Sequence, residues 1–379
     1  MFYWSLFFRL LLHTFSFSRD SLRFVTPRRI VVGVFVLPLF LLQILLNRVF
    51  MALDWIFFPH FTNEKILSPT FIIGVPRSAT TYLLETMARD NRKFTCFKLW
   101  EILFAPSILQ KYFWKGIIAV DRKIGRPLLR LSKVYDRIVL GKITKIHKTG
   151  MTNAEEDEML LLYCFSSMYL TFFFPDVSAT DELIFFDSDF PEAKRVRVMK
   201  FYKRCIQRHM FVFGDDGKKR FLSKNPCFIS KMKSVAEAFP DAQLLYMIRT
   251  PERTIPSTIS MNSNIYSILC NGKQVHIMHE RTRDSVIRWY VDADQALSSH
   301  WENRNYVVHF RNITKQPEST LNEIYSFLHL APDGEMRALM KSEQEKVANY
   351  TTEHSYNTST GVNTEIIRKE LSGLNVGFQ

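Results

Sequence analysis

The stretch "TFIIGVPRSATTYLLETM", residues 70–87, constrains this chain more than any other. An apolar β-rich run ends at Gly74, a short loop holding Pro76 follows, and helical periodicity begins at two threonines. A strand, a tight loop and a helix in that order aim backbone N–H groups and a helix N-terminus at one point, where an anion binds. The unit is one of a series. β-rich runs recur at "RFLS", "LLYMI" and "YVVHF", with helical stretches between them, and "PESTLNEIYSFL" supplies a further helix after the last. The alternation predicts an α/β fold in which an open parallel sheet is flanked by helices, with a P-loop-like first turn. In the helix expected before "YVVHF", Val286, Ile287, Tyr290, Val291, Leu297 and Trp301 fall near one face, whereas Asp284, Arg288, Asp292 and Asp294 do not.

The first loop is not a Walker A loop. GxxxxGK[ST] requires glycine and lysine where this chain has Ala79 and Thr80, so the lysine that meets the β- and γ-phosphates is missing and the loop's cation is Arg77. Taken alone, Gly74 and Pro76 also suit an ordinary βα turn, and Thr80 and Thr81 also suit a helix start. A second element is "LLYMIRTPERTIPSTISM", in which a strand ends at Arg249 and Ser257 follows eight residues later, past two prolines that restrict the loop. An Arg guanidinium offers a planar charged fork and a Ser hydroxyl adds a donor, the pairing that a phosphate dianion calls for.

The chain's charge agrees with an acidic ligand. Its 379 residues carry a formal net charge of +13, and 47% of them are apolar, enough for a sizeable core in one large domain or two smaller ones. Five cysteines (Cys96, Cys164, Cys205, Cys227, Cys270) are widely spaced with no CxxC pair, which points to reduced core residues and to neither a zinc site nor a disulfide framework. The basic run "KRVRVMKFYKRCIQR", Lys194 to Arg208, reads at helical spacing as a solvated face, and its few aromatics do not make a stacking platform for nucleic acid.

Residues 1–61 differ from the rest. No charged side chain occurs over the 18 residues from Ile30 through Asn47, and the apolar pattern continues past Arg48 into "VFMAL". Such a segment approaches the roughly 20 residues a membrane-spanning helix needs. A span would leave the N-terminus cytoplasmic, because Arg19, Arg23, Arg28 and Arg29 precede it. Pro38, Gln43, Arg48 and Asp54 interrupt a clean span, and "YWSLFFRLLL" favours a helix lying in the interface instead. The expected layout is therefore a membrane-anchoring region over 1–61 and an α/β domain over 66–379, with a mainly helical insertion around 100–180.

As a pair, the loop and the Arg-x7-Ser element resemble the cofactor-binding elements of sulfotransferases that use 3′-phosphoadenosine 5′-phosphosulfate (PAPS). The resemblance extends in order through "KLWEILFAP", "NAEEDE", "FLSKNP", "FPDAQLLYMIRTP", "VVHFRNITKQPESTLNEIYSFL" and "HSYNTSTGV", and leaves the N-terminal region outside. It implies a PAPS-dependent sulfotransferase needing no metal. The 5′-phosphosulfate would lie on the Gly74–Thr81 loop with Pro76, Arg77, Ser78, Ala79, Thr80 and Thr81, and the 3′-phosphate on Arg249 and Ser257. Lys224 would reach the transferred group from an adjacent strand end. Ala79 stands where the family usually has glycine, which is tolerable if its φ stays negative.

Sulfuryl transfer needs a base for the attacking hydroxyl or amine. Glu101 matches an acidic position the family places after the phosphosulfate loop, and His147 is the second candidate. Glu155, Glu156 and Asp157 are left unassigned, since Thr152 and Glu155 have capping-box spacing. His354 and Tyr356 match a late family motif. The acceptor expected for a membrane-attached enzyme is a lipid, sterol or glycan; Asn312, Asn349 and Asn357 begin N-x-[ST] sequons that suit a lumenal domain. Two other readings compete: a P-loop kinase-like phosphotransferase, opposed by the missing lysine, and a degenerate membrane-bound nucleotide-binding protein, for which Ala79 is the hint.

Overall fold

The computed structural model describes residues 2–138, 141, 149–348, 367, 370, 371, 373 and 374. His147, Asn349, His354, Tyr356 and Asn357 lie outside the described residues. In chain order the elements that position the site are α1 (Trp4–Leu12), α2 (Pro27–Phe57), β1 (Thr70–Gly74), α3 (Thr80–Met87), β2 (Phe94–Thr95), α4 (Leu99–Phe104), α5 (Ile108–Lys123), α6 (Pro127–Ile138), α7 (Glu192–Phe213), β3 (Arg220–Lys224), β4 (Gln243–Ile248), α8 (Pro251–Leu269), α9 (Met278–Ser299) and β5 (Asn305–His309).

The five strands form one parallel sheet in the order β2-β3-β1-β4-β5, with helices on both faces. Period-two alternation divides each strand between two cores. Phe71, Ile73, Phe221, Leu244, Tyr246 and Ile248 enter one. Ile72, Leu222, Leu245 and Met247 enter the other, against Leu83, Leu84 and Met87 of α3 and Ile324 and Tyr325 of a C-terminal helix. Gly74 is obligatory at the end of β1, because a Cβ there would lie 2.3 Å from the Met247 carbonyl oxygen on β4. All five cysteines are free, and all but Cys96 are buried.

Local readings are corrected at three places. Val291 of α9 is exposed, while Val286, Tyr290 and Leu297 are buried, because the inward stripe follows 3.6-residue periodicity and misses position 291. No capping box forms at Thr152 and Glu155: the 3₁₀ helix begins at Asp157, and Glu155 accepts instead from the Thr149 hydroxyl. In the basic run, Arg197, Lys200 and Lys203 are exposed, but Arg208 is buried in an ion pair.

That ion pair fastens the N-terminal region to the body. Asp54 on α2 accepts from the Ile108 backbone N–H (3.0 Å) and the Leu109 N–H (3.2 Å), capping α5, and from Arg208 Nε at 2.8 Å. Nearby, Asn47 Nδ2 donates to the Leu103 carbonyl at 2.8 Å and Gln43 Nε2 to the same oxygen at 2.8 Å. Tyr3, Leu6, Leu10, Ile44 and Met51 share the main core with the sheet, so residues 2–61 pack against the α/β body in this structure.

Asp54→Ala should lower unfolding free energy by about 3 kcal/mol or more, because it leaves the Arg208 guanidinium buried without its anion and uncaps α5. Asp54→Asn, which keeps an acceptor oxygen, should lose less; denaturant melts of the two variants check the order.

Candidate active site

Functional side chains gather at the carboxyl ends of β3, β1 and β4, which are neighbours only through the strand order. In an open α/β sheet this is the edge where ligands bind. Between β1 and α3, Arg77 (φ 75°) and Ala79 (φ 69°) adopt left-handed backbone with Ser78 between them at negative φ. Alternating left- and right-handed residues curl their N–H groups toward one point, a nest for an anion. The condition attached to Ala79 is therefore not met: its φ is positive, and its methyl is carried in a conformation that favours glycine. Ser78 is fully buried and its hydroxyl donates to the Val75 carbonyl at 2.6 Å, so that side chain braces the loop from within.

The second element docks directly on the first. Arg77 Nε donates to Ser257 Oγ at 3.1 Å, and Arg249 donates to the Arg77 carbonyl at 2.8 Å. Arg249 is held in turn: the Tyr290 hydroxyl donates to its carbonyl at 2.6 Å, and its guanidinium lies over the Phe310 ring, 4.1 Å from the centroid. Pro76, Arg77, Ala79, Thr80, Thr81 and Arg249 line one end of a cavity of about 560 Å³. The rest of its wall is mainly apolar and draws on Phe40 of α2, Met168 and Phe172 of the insertion, Ile265 of α8 and Trp289 of α9.

Glu156 is the carboxylate on that wall. Lys224 Nζ, at the end of β3, donates to its Oε1 at 2.6 Å, and the Tyr169 hydroxyl donates to Oε2. Burial, reinforced by the Glu156 charge, pushes the Tyr169 phenol well above its ordinary value, so it remains a donor. Burial together with Glu158 and Glu156 likewise pushes the pKa of the cavity-lining Cys227 up, which favours its thiol form. Sequence reasoning passed over Glu156 because four acidic residues crowd "NAEEDE"; the strand-end Lys224 was the signal that one of them faced the site.

Glu101 is not brought to the cavity. It is buried on α4, with Oε2 3.0 Å from His209 Nδ1 of α7 but not aligned for a hydrogen bond, while Thr95 Oγ1 and His209 Nε2 lie 2.7 Å apart. Burial depresses the His209 pKa against the opposing pull of Glu101. Burial also lowers Lys111 to about 8, again opposed by Glu101, and Lys111 donates to the Ala105 carbonyl. Glu101 thus lies in the core beside the His209 ring, away from the cavity lining.

The structure thus presents a parallel α/β sheet at whose carboxyl edge the β1–α3 loop and the arginine-serine element are joined. The comparisons narrow the class. A model of the sulfotransferase family matches residues 69–333, and the chain belongs to that family. It is 25% identical over 271 residues to the omega-hydroxy-beta-dihydromenaquinone-9 sulfotransferases of Mycobacterium bovis and Mycobacterium tuberculosis, a match covering 69% of this chain and 63% of theirs. Crystal structures of two sulfotransferases share the fold. One from Mycobacterium tuberculosis has TM-score 0.70, 19% identity and coverage of 97% of this chain and 93% of its own. The other, from Mycobacterium avium, has TM-score 0.68, 14% identity and coverage of 100% and 97%.

Left-handed backbone costs an L-residue about 1–2 kcal/mol that glycine avoids. Ala79→Gly should accordingly raise the melting temperature, and calorimetry of the two proteins reads the gain.

Proposed function

We propose that this protein transfers the sulfuryl group of PAPS to a hydroxyl of a lipid-like acceptor at a membrane. The carrying observation is the junction of Arg77, Ser257 and Arg249, of which Arg77 and Arg249 line a cavity whose remaining wall is mainly apolar. A nest of backbone N–H groups backed by Arg77 suits a phosphosulfate, and the Arg249–Ser257 side suits the 3′-phosphate that distinguishes PAPS from ordinary nucleotides. PAPS supplies an activated sulfur whose bond to the 5′-phosphate oxygen breaks as the acceptor oxygen bonds to it.

The chain's residues do the rest. Thr80, Thr81 and the loop N–H groups hold the 5′ end, and Arg77 and Lys224 offset charge as it develops on the departing phosphate. Glu156 takes the acceptor's proton; Lys224 leaves its carboxylate for the more highly charged donor, which frees Oε1, while Tyr169 keeps Oε2 oriented. Glu101 then serves packing rather than proton transfer. Asn262, Arg281 and Ser285 also line the wall, but Phe, Met, Ile, Leu and Trp make up most of it, which favours an acceptor with an apolar body. The mycobacterial relatives are named for a hydroxylated menaquinone, which is consistent with that choice. Membrane attachment is read from α2, 31 residues long and apolar enough by composition to enter a bilayer.

With sulfur-labelled PAPS and separate lipid and glycan fractions, label should pass to the lipid fraction; label in glycan alone sinks the acceptor class.

Adenosine 3′,5′-bisphosphate should raise the melting temperature well above the effect of adenosine 5′-monophosphate. Arg249→Ala should erase that preference, a loss of about 1.5–3 kcal/mol in binding.

Glu156→Gln should reduce turnover about 10²- to 10⁴-fold with bisphosphate binding nearly intact. Glu101→Gln should leave turnover of the folded fraction within a few-fold; the opposite ranking would return the base to Glu101.

A further inference from the structure

The helix α2 is inside out. Its inward stripe carries Arg29, which bonds the Thr14 carbonyl and the Cys270 sulfur, and Gln43, Asn47 and Asp54, which bond the body, whereas its outward face presents Val34, Phe35, Leu39, Leu42, Leu45 and Leu46 with no charge among them. Water-facing helices have the reverse arrangement. Nor is the apolar exposure scattered. Among the described residues, every large apolar side chain that is strongly exposed lies in residues 4–57 or 104–138, apart from Leu67, Val196, Ile277 and Val291. The two segments adjoin, because Asp54 of α2 caps α5 and the rings of Phe58 and Tyr112 lie 5.8 Å apart.

The second segment adds charge. No side chain of α6 is buried; Leu131, Val134, Tyr135 and Ile138 recur at helical spacing on one face, with Arg130, Lys133 and Arg137 beside them. Lys115, Arg122, Lys123 and Arg126 are exposed nearby, while the segment's acidic residues are engaged: Asp121 is buried and Asp136 accepts from the Met151 N–H at 3.0 Å. An amphipathic helix of this kind binds an anionic bilayer surface, apolar side down and basic residues at the headgroups.

Orientation follows from the attachments. Arg28 donates to the Ser267 carbonyl at one end of α2 and Asp54 binds Arg208 at the other, so the helix is tied to the body over about 39 Å at 1.5 Å per residue. That exceeds the roughly 30 Å hydrocarbon core, and a crossing α2 would carry the polar body in with it. We propose that the protein docks on one leaflet of an anionic membrane, with α1 and α2 in the membrane plane and α6 on the headgroups. Phe40 of α2 lines the cavity while its neighbours Leu39 and Leu42 face outward, which places the acceptor cavity at the lipid boundary. This use of the surface rests on the sulfotransferase reading; the docking itself does not.

The full chain should float with vesicles of phosphatidylcholine and phosphatidylglycerol and much less with phosphatidylcholine alone. Arg130→Glu, Lys133→Glu and Arg137→Glu together should weaken the anionic binding about a hundredfold, given about tenfold or less per basic residue. The melting shift with adenosine 3′,5′-bisphosphate should survive in this variant, which certifies its fold. Spin labels on cysteines replacing Val34, Leu45 and Ile56, one at a time, should report similar, shallow depths. A depth maximum at Leu45 with shallow ends would mean a crossing helix and overturn the proposal, as would equal binding to neutral vesicles. A soluble oligomer that buries these labels and ignores vesicles would assign the face to a second copy instead and overturn it too. If the bisphosphate shift is absent even from the unsubstituted protein, the sulfotransferase reading fails while the vesicle results still decide the docking.

Discussion

The close approach of β1 and β4 at Gly74 governs the site. With no side chain between Gly74 and the Met247 carbonyl, the two strands end side by side, and the chain leaves them as two loops in contact. That contact lets Arg249 reach the Arg77 carbonyl and Arg77 reach Ser257. Any larger residue at position 74 would part the strands and separate the two loops, although each would keep its own sequence. The left-handed turn at Arg77 and Ala79 follows from the same geometry, because the chain must reverse from the strand into α3 within five residues.

Two buried carboxylates show how position decides role. Glu101 and Glu156 are both buried and both lie within or beside the helical insertion, yet only Glu156 faces the cavity, with a lysine and a tyrosine fixing its oxygens. Glu101 faces His209 of α7. In the first case the partner lysine sits at a strand end. In the second, the partner histidine is sealed in the core.

The body and the apolar N-terminal region form a single packed unit. α2 contributes Ile44 and Met51 to the main core, Asp54 to a buried ion pair and Phe40 to the cavity wall, while its outer face stays apolar. The polar residues that interrupt its apolar sequence at Gln43, Asn47 and Asp54 make its inward bonds.

The sequence alone carried the α/β class, because strands buried on both faces read as short apolar runs and the intervening helices keep a 3.6-residue period. It carried the two elements that the family resemblance singles out, and the structure brings them into contact. It favoured Glu101, whereas the cavity wall holds Glu156, because acidic residues in "KLWEILFAP" and "NAEEDE" look alike until strand order brings Lys224 beside one of them and α7 brings His209 beside the other. The positive φ of Ala79 was equally hidden, being imposed by the turn and not by the residue's own preference. The direction of α2's polar face was hidden for a related reason: hydropathy counts residues along a helix, whereas only tertiary packing decides which of its sides meets protein and which is left for lipid.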